Sequence, residues 1–103
     1  DMLIFSGVEV PPATIESCLA ACPGVADVAV TRLPDPVWGD SLVALIVGTA
    51  QSATLEAWVR NSLTAAQRPR RVLRVDGLPR SAMGKLDRAQ LRTLLRETVQ
   101  GPG

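Results

Sequence analysis

The chain has 103 residues, 47% hydrophobic and 20% charged, which suits one folded domain with a modest core rather than a disordered segment. Histidine is absent, so no Ser-His-Asp triad, Cys-His pair or His-ligated zinc or haem can be assembled. Eleven basic residues against ten acidic ones leave a net charge of +1, which lacks the basic excess that generic nucleic-acid binding requires.

Two short apolar runs, Leu3–Phe5 and Val8–Val10, flank Ser6-Gly7 and predict a small hairpin. Pro11-Pro12 ends it, and Pro12 suits the first turn of a helix expected to run to about Cys22, before Pro23-Gly24. On that helix Ile15, Cys18, Leu19 and Cys22 fall at i, i+3, i+4 and i+7, so both cysteines are read as core. Their spacing is not C-x-x-C, and a disulfide within one helix would be strained.

Val25 to Leu33 reads as a strand. Pro34-Asp35-Pro36 and Gly39-Asp40 frame a loop carrying Trp38. Leu42 to Val47 is apolar on both faces and predicts a central strand; it is also the longest apolar run, far below the ~20 residues of a membrane span. Leu55, Trp58, Val59 and Leu63 mark one face of a second helix, with Thr54 as N-cap and Trp58 in the core. Arg68-Pro69-Arg70-Arg71 leads into a third strand, Val72 to Val75. Gly77 to Gly84 is a loop that ends at Lys85, and a last helix from about Asp87 to Val99 buries Leu91, Leu94, Leu95 and Val99. The expected fold class is α+β: an N-terminal β-hairpin, then a small three-stranded sheet with about three helices against it. Residues 1–100 form the domain and 101–103 a tail expected to fray. No signal peptide is visible, and a start at Asp1 without methionine is what an excised piece of a longer protein would show.

The segment with the most chemistry is Pro79-Arg80-Ser81-Ala82-Met83-Gly84-Lys85. A phosphate-binding P-loop is rejected: Pro79 replaces its first glycine, and Leu86 stands where a Mg²⁺-binding Ser/Thr belongs. What remains is a loop of small residues, read as mobile, that presents one ammonium. A compact point charge of this kind suits phosphate or carboxylate oxygens that gain charge in a transition state. Ten of the eleven basic residues are arginine, so Lys85 stands out as the lone lysine.

The ordered set of short segments resembles the C-terminal domain of adenylate-forming enzymes: acyl- and aryl-CoA synthetases, adenylation domains of nonribosomal peptide synthetases, and luciferases. It comprises Asp1-Met2-Leu3-Ile4-Phe5-Ser6-Gly7, Pro12 with Ile15-Glu16, Pro23-Gly24-Val25, Asp27-Val28-Ala29-Val30, Pro34-Asp35 and Trp38-Gly39-Asp40. It continues with Arg68-Pro69-Arg70, Leu78-Pro79-Arg80 and Gly84-Lys85-Leu86-Asp87-Arg88, so it covers the chain to about Leu95. The resemblance implies a two-step ligase acting on ATP, Mg²⁺, a carboxylic acid and CoA, in which Lys85 matches the catalytic lysine of the first step. Gly84 belongs to the same Gly-Lys pattern. After a domain rotation, the loop matching Ser6-Gly7-Val8-Glu9 lines the pantetheine channel. Arg68 and Arg70 match positions that hold the nucleotide phosphates of CoA in some relatives, and Trp38 matches a tryptophan beside the adenine; Ala66 departs from an aromatic sometimes found just before the basic segment. No metal ligand is assigned to this domain.

The resemblance further implies a large N-terminal adenylate-binding domain as partner, a cytoplasmic location, and a fragment that does not catalyse alone. Pro79 with Gly84-Lys85 fits the Pro-x4-Gly-Lys pattern recognised by bacterial lysine acetyltransferases, which makes Lys85 an expected acetylation target. The leading reading is an acyl-CoA synthetase. A peptide-synthetase adenylation domain loading a carrier protein stays open beside it, as does a non-catalytic binding module.

Overall fold

The computed structural model describes residues 3–5, 8–33 and 41–100, with side chains described for 11–33 and 41–99. Strands β1 (Leu3–Phe5) and β2 (Val8–Val10) pair antiparallel, with Ile4 opposite Glu9. Helix α1 (Pro12–Ala20) follows, β3 (Val25–Leu33) pairs antiparallel with β4 (Ser41–Gly48), and α2 (Ser52–Ser62) leads through a 3₁₀ turn, Ala65–Gln67, to β5 (Arg71–Arg74). Because β5 runs parallel to β4, the chain needs a crossover, and α2 is that crossover. Helix α3 (Arg88–Gln100) closes the chain, and the sheet order is β3-β4-β5.

The α+β expectation holds, with β4 central and Leu42 to Ile46 buried in an unbroken run. Strand alternation sorts this run onto two cores. Leu42, Ala44 and Ile46 join Val28 and Val30 of β3 under Ile15 and Leu19 of α1 and Leu55 of α2. Val43 and Leu45 join Ala29 under Leu91 and Leu95 of α3. The sheet is therefore covered on both faces, α1 and α2 on one side and α3 on the other. No described helix is long and apolar enough to cross a membrane.

Several boundaries differ from expectation. Helix α1 ends at Ala20, so Cys22 falls in the turn beyond it, where its N–H donates to Leu19 O at 3.0 Å. Cys22 is still buried and burial pushes its thiol pKa up, with Cys18 adding to the shift, whereas Cys18 is only half-buried. Thr54 is not the cap of α2, which starts at Ser52 after Gln51. Trp58 is half-buried rather than core: its ring packs on the apolar cluster while its Nε1–H donates to Cys18 O at 2.8 Å, a bond that an indole seeks at a helix–helix rim. Strand β5 begins at Arg71 and ends at Arg74, and Val72 is 41% exposed. On α3 the buried seam is Leu91 and Leu95, which pack on Ala29, Val43 and Leu45 of the sheet; Leu94 is half-buried and Val99 is exposed.

The junction between α1 and β3 is built on a glycine contact. Gly48 has φ +134°, and a Cβ there would lie 2.2 Å from Gly24 O and 2.8 Å from Ala26 N. Gly24 O in turn accepts from Thr49 N (2.8 Å) and Ala50 N (2.9 Å). Directly after this crossing the β3 register shifts between Val25 and Asp27, a bulge that re-aims the following side chain.

Candidate functional site

Lys85 sits at the end of a hydrogen-bonded turn, not in an open loop. Arg80 and Leu86 form an antiparallel bridge, Ser81 N donates to Lys85 O (2.8 Å), Gly84 N to Ser81 O (2.9 Å) and Lys85 N to Ser81 Oγ (3.2 Å). Gly84 lies at φ +84° with open space where a Cβ would be, so the residue is demanded by backbone geometry rather than by a close neighbour. Residues 81–85 are all exposed, and Met83 is 96% exposed. No carboxylate among the described residues pairs with the Lys85 ammonium.

Both ends of the turn are tied to the domain. At the entry, Arg80 forms a two-pronged pair with Asp27 of β3: Nε donates to Oδ2 and Nη2 to Oδ1, each at 2.8 Å. The Arg80 bond holds the Asp27 carboxyl below the usual carboxylate range, partly offset by desolvation. At the exit, Asp87 N donates to Pro79 O (2.8 Å), and Asp87 Oδ1 accepts from Gln90 N (3.1 Å), capping α3. Arg88 then reaches β3 again, its Nη1 donating to Val30 O (3.1 Å) and to Glu16 Oε2 (3.4 Å). Glu16 Oε2 also accepts from Val30 N at 2.7 Å.

The predicted basic segment lines a groove of about 420 Å³ between α2 and β5. Arg68 and Arg70 are joined there by Arg60 and Arg74, four arginines against one carboxylate, Glu56. Arg68 is engaged with backbone oxygens: Nε donates to Leu63 O (3.0 Å) and Nη2 to Arg60 O (3.1 Å), which satisfies carbonyls at the C-terminal end of α2. Arg74 donates to Gly48 O (3.3 Å) and to Ala50 O. These acceptors are neutral, so they orient the guanidinium groups and leave their formal charge in the groove. Arg70 is set by its backbone, whose N–H donates to Leu42 O at 2.8 Å.

Among the remaining expected site residues, Val8 and Glu9 lie in β2, whose backbone is in contact with the 3₁₀ turn that leads into Arg68. Ser6, Gly7 and Trp38 lie outside the described residues. Lys85 is not among the residues lining the arginine groove, so the domain carries two separate candidate sites. Arg60, Arg74 and the Asp27–Arg80 pair were given no role by sequence reasoning. Arg80 had one signal, its place just before the Lys85 turn; Arg60 and Arg74 had none, because only the crossover brings them together. Among the described residues no group of three or more His, Cys, Asp or Glu side chains could hold a metal ion.

The family model described as AMP-binding enzyme C-terminal domain matches residues 14–85. The chain belongs to this family. Among curated relatives it is 44% identical over 96 residues to 4-chlorobenzoate–CoA ligase of Pseudomonas sp. (strain CBS-3), covering 88% of this chain and 18% of that protein. It is 37% identical over 99 residues to an uncharacterized acyl–CoA ligase, YhfT, of Bacillus subtilis (strain 168), covering 96% and 21% respectively. Among solved structures, a Mycobacterium tuberculosis fatty acyl CoA synthetase superposes with a TM-score of 0.84 at 31% identity, over 99% of this chain and 20% of that one. The chain thus spans about a fifth of the length of these relatives.

Proposed function

We propose that this chain is the lysine-bearing C-terminal domain of an ATP-dependent acyl-CoA synthetase. In the first step a carboxylate oxygen of the acid attacks the α-phosphorus of ATP, and the bond to pyrophosphate breaks, giving acyl-AMP. In the second, the thiol of CoA attacks the acyl carbon, loses its proton and expels AMP. The observation that carries the reading is the presentation of Lys85, the lone lysine, on an exposed and tethered turn of a domain whose named relatives are CoA ligases.

In the first step the Lys85 ammonium neutralises charge that builds on the carboxylate and α-phosphate oxygens, a role suited to an exposed, compact cation. In the second, the arginine groove receives the nucleotide phosphates of CoA. Arg68 and Arg70 are the primary contacts and Arg60 and Arg74 widen the positive field; guanidinium forks match phosphate oxygens. The segment Ser6-Gly7-Val8-Glu9 serves the pantetheine arm, and Trp38 the adenine. Between the steps the domain turns on the large N-terminal domain, exchanging one site for the other, and the separation of the Lys85 turn from the groove supports this division of labour. Exposure of Lys85 within Pro-x4-Gly-Lys makes it an acetylation substrate as well.

The test is ATP–pyrophosphate exchange by the full-length enzyme across a panel of carboxylic acids. Lys85→Ala should abolish exchange yet retain thioester formation from supplied acyl-adenylate. Equal loss of both half-reactions in a folded variant would refute the assignment.

A further inference from the structure

Lys85 must bring a flexible side chain to a reacting phosphate, and its reach is set by the backbone at residues 84 and 85. Residues 81–85 themselves carry no apolar anchor: all five are exposed and Met83, the one large apolar side chain among them, is 96% exposed, the first apolar contact beyond them being half-buried Leu86. The position of residues 81–85 on the near side of Leu86 therefore depends on polar ties. The third donor of Arg80 supplies one at the decisive place: Nη1 donates to Gly84 O at 2.8 Å, while Nε and Nη2 hold Asp27. One planar group thus bridges the sheet to the carbonyl that immediately precedes Lys85. Asp27 is fixed in turn, since its Oδ1 accepts from the N–H of Val28, a residue buried in the core, and it follows directly on the β3 bulge.

We infer that Arg80, oriented by Asp27, is a positioning residue that sets Lys85 for the adenylation step. The inference rests on the proposed role of Lys85. Arginine is required here because the fork engages both carboxylate oxygens and still leaves an N–H for Gly84 O, which one lysine ammonium cannot reproduce in the same plane. The Arg88 tie to Val30 O and Glu16 fixes the base of α3, but it lies beyond Asp87 and does not touch residues 81–85. Arg80 controls the turn itself.

Both the turn and the chemistry are read in the full-length enzyme, with variants Arg80→Gln, Asp27→Asn and Lys85→Ala. Hydrogen exchange by mass spectrometry should show faster exchange of the 80–87 segment in Arg80→Gln, with the melting temperature within a few degrees of wild type. Adenylation kcat should fall by about 10- to 100-fold, the scale expected when a catalytic group is displaced by about 1 Å, while KM for ATP stays within about threefold. Thioester formation from supplied acyl-adenylate should stay within about twofold. Asp27→Asn keeps the Arg80–Gly84 bond and an acceptor for Val28, so it should give a smaller loss of the same selective kind.

Unchanged exchange of the 80–87 segment in Arg80→Gln overturns the inference. So does a parallel fall of both half-reactions with the melting temperature, which would mark a merely structural pair. A loosened turn with normal adenylation, alongside an inactive Lys85→Ala, overturns positioning by Arg80 while the role of Lys85 stands. Normal adenylation by Lys85→Ala refutes the role of Lys85 instead, and the exchange data then still decide whether Arg80 holds the turn.

Discussion

Substituting Gly48 by alanine tests whether the glycine crossing supports the strand that holds Asp27. At φ +134° a Cβ-bearing residue is strained by about 1–3 kcal/mol. The added methyl would also stand 2.2 Å from Gly24 O, a backbone atom with no freedom to swing aside. Relief requires moving Gly24 O away from Thr49 N and Ala50 N, weakening two hydrogen bonds worth about 1 kcal/mol each. The expected destabilisation is about 3–5 kcal/mol, a large share of the ~5–15 kcal/mol that holds a typical domain. In urea titrations monitored by Trp fluorescence, at an m-value of ~1–3 kcal/mol/M, the midpoint should fall by about 1–5 M with the slope unchanged. Gly77→Ala is the matched control: nothing lies within 4 Å of its added Cβ and no positive φ is involved, so a shift within about 0.5 kcal/mol is expected. A Gly48→Ala midpoint within error of the Gly77→Ala midpoint would refute the close-approach argument.

Other outcomes follow from the same geometry. Asp27 has a folded-state pKa below its unfolded value of ~3.9, so its contribution is complete above that value and is lost as pH falls through the folded one. Asp27→Asn should therefore cost about 0.5–1 kcal/mol near neutrality, discounted for side chains about a third exposed, and nothing at the acid end; equal cost at both pH values in urea titrations would contradict the pairing. Arg68→Ala removes two bonds to carbonyls near the end of α2 and should lower stability by about 1–2 kcal/mol as well as raising KM for CoA several-fold. Arg70→Ala should raise KM for CoA, and a normal KM in both variants would argue against the groove as the CoA site. Incubation with a bacterial lysine acetyltransferase and acetyl-CoA should add one acetyl group, absent in Lys85→Arg by intact mass, and the acetylated full-length enzyme should lose pyrophosphate exchange.

The sequence alone determined the local elements, because short-range physics writes them. Pro12 opens α1, Pro23-Gly24 closes the turn after it, and the two-faced run Leu42 to Ile46 marks the central strand. The lone lysine among ten arginines singled out Lys85. Boundaries moved where tertiary contacts outweighed pattern: Cys22 is buried from a turn rather than a helix, and Trp58 stays at the rim to satisfy its indole N–H.

What only the tertiary structure decided is the set of partners joined across long separations. Asp27 and Arg80 are 53 residues apart, and no periodicity relates a strand bulge to a turn beyond one helix and two further strands. Likewise Arg60, Arg68, Arg70 and Arg74 converge because β5 returns parallel beside β4 under α2. Charge and composition foretold neither arrangement, since a salt bridge or a groove is a property of the packed sheet. The count that distinguished Lys85 named the residue; the fold supplied what holds it in place.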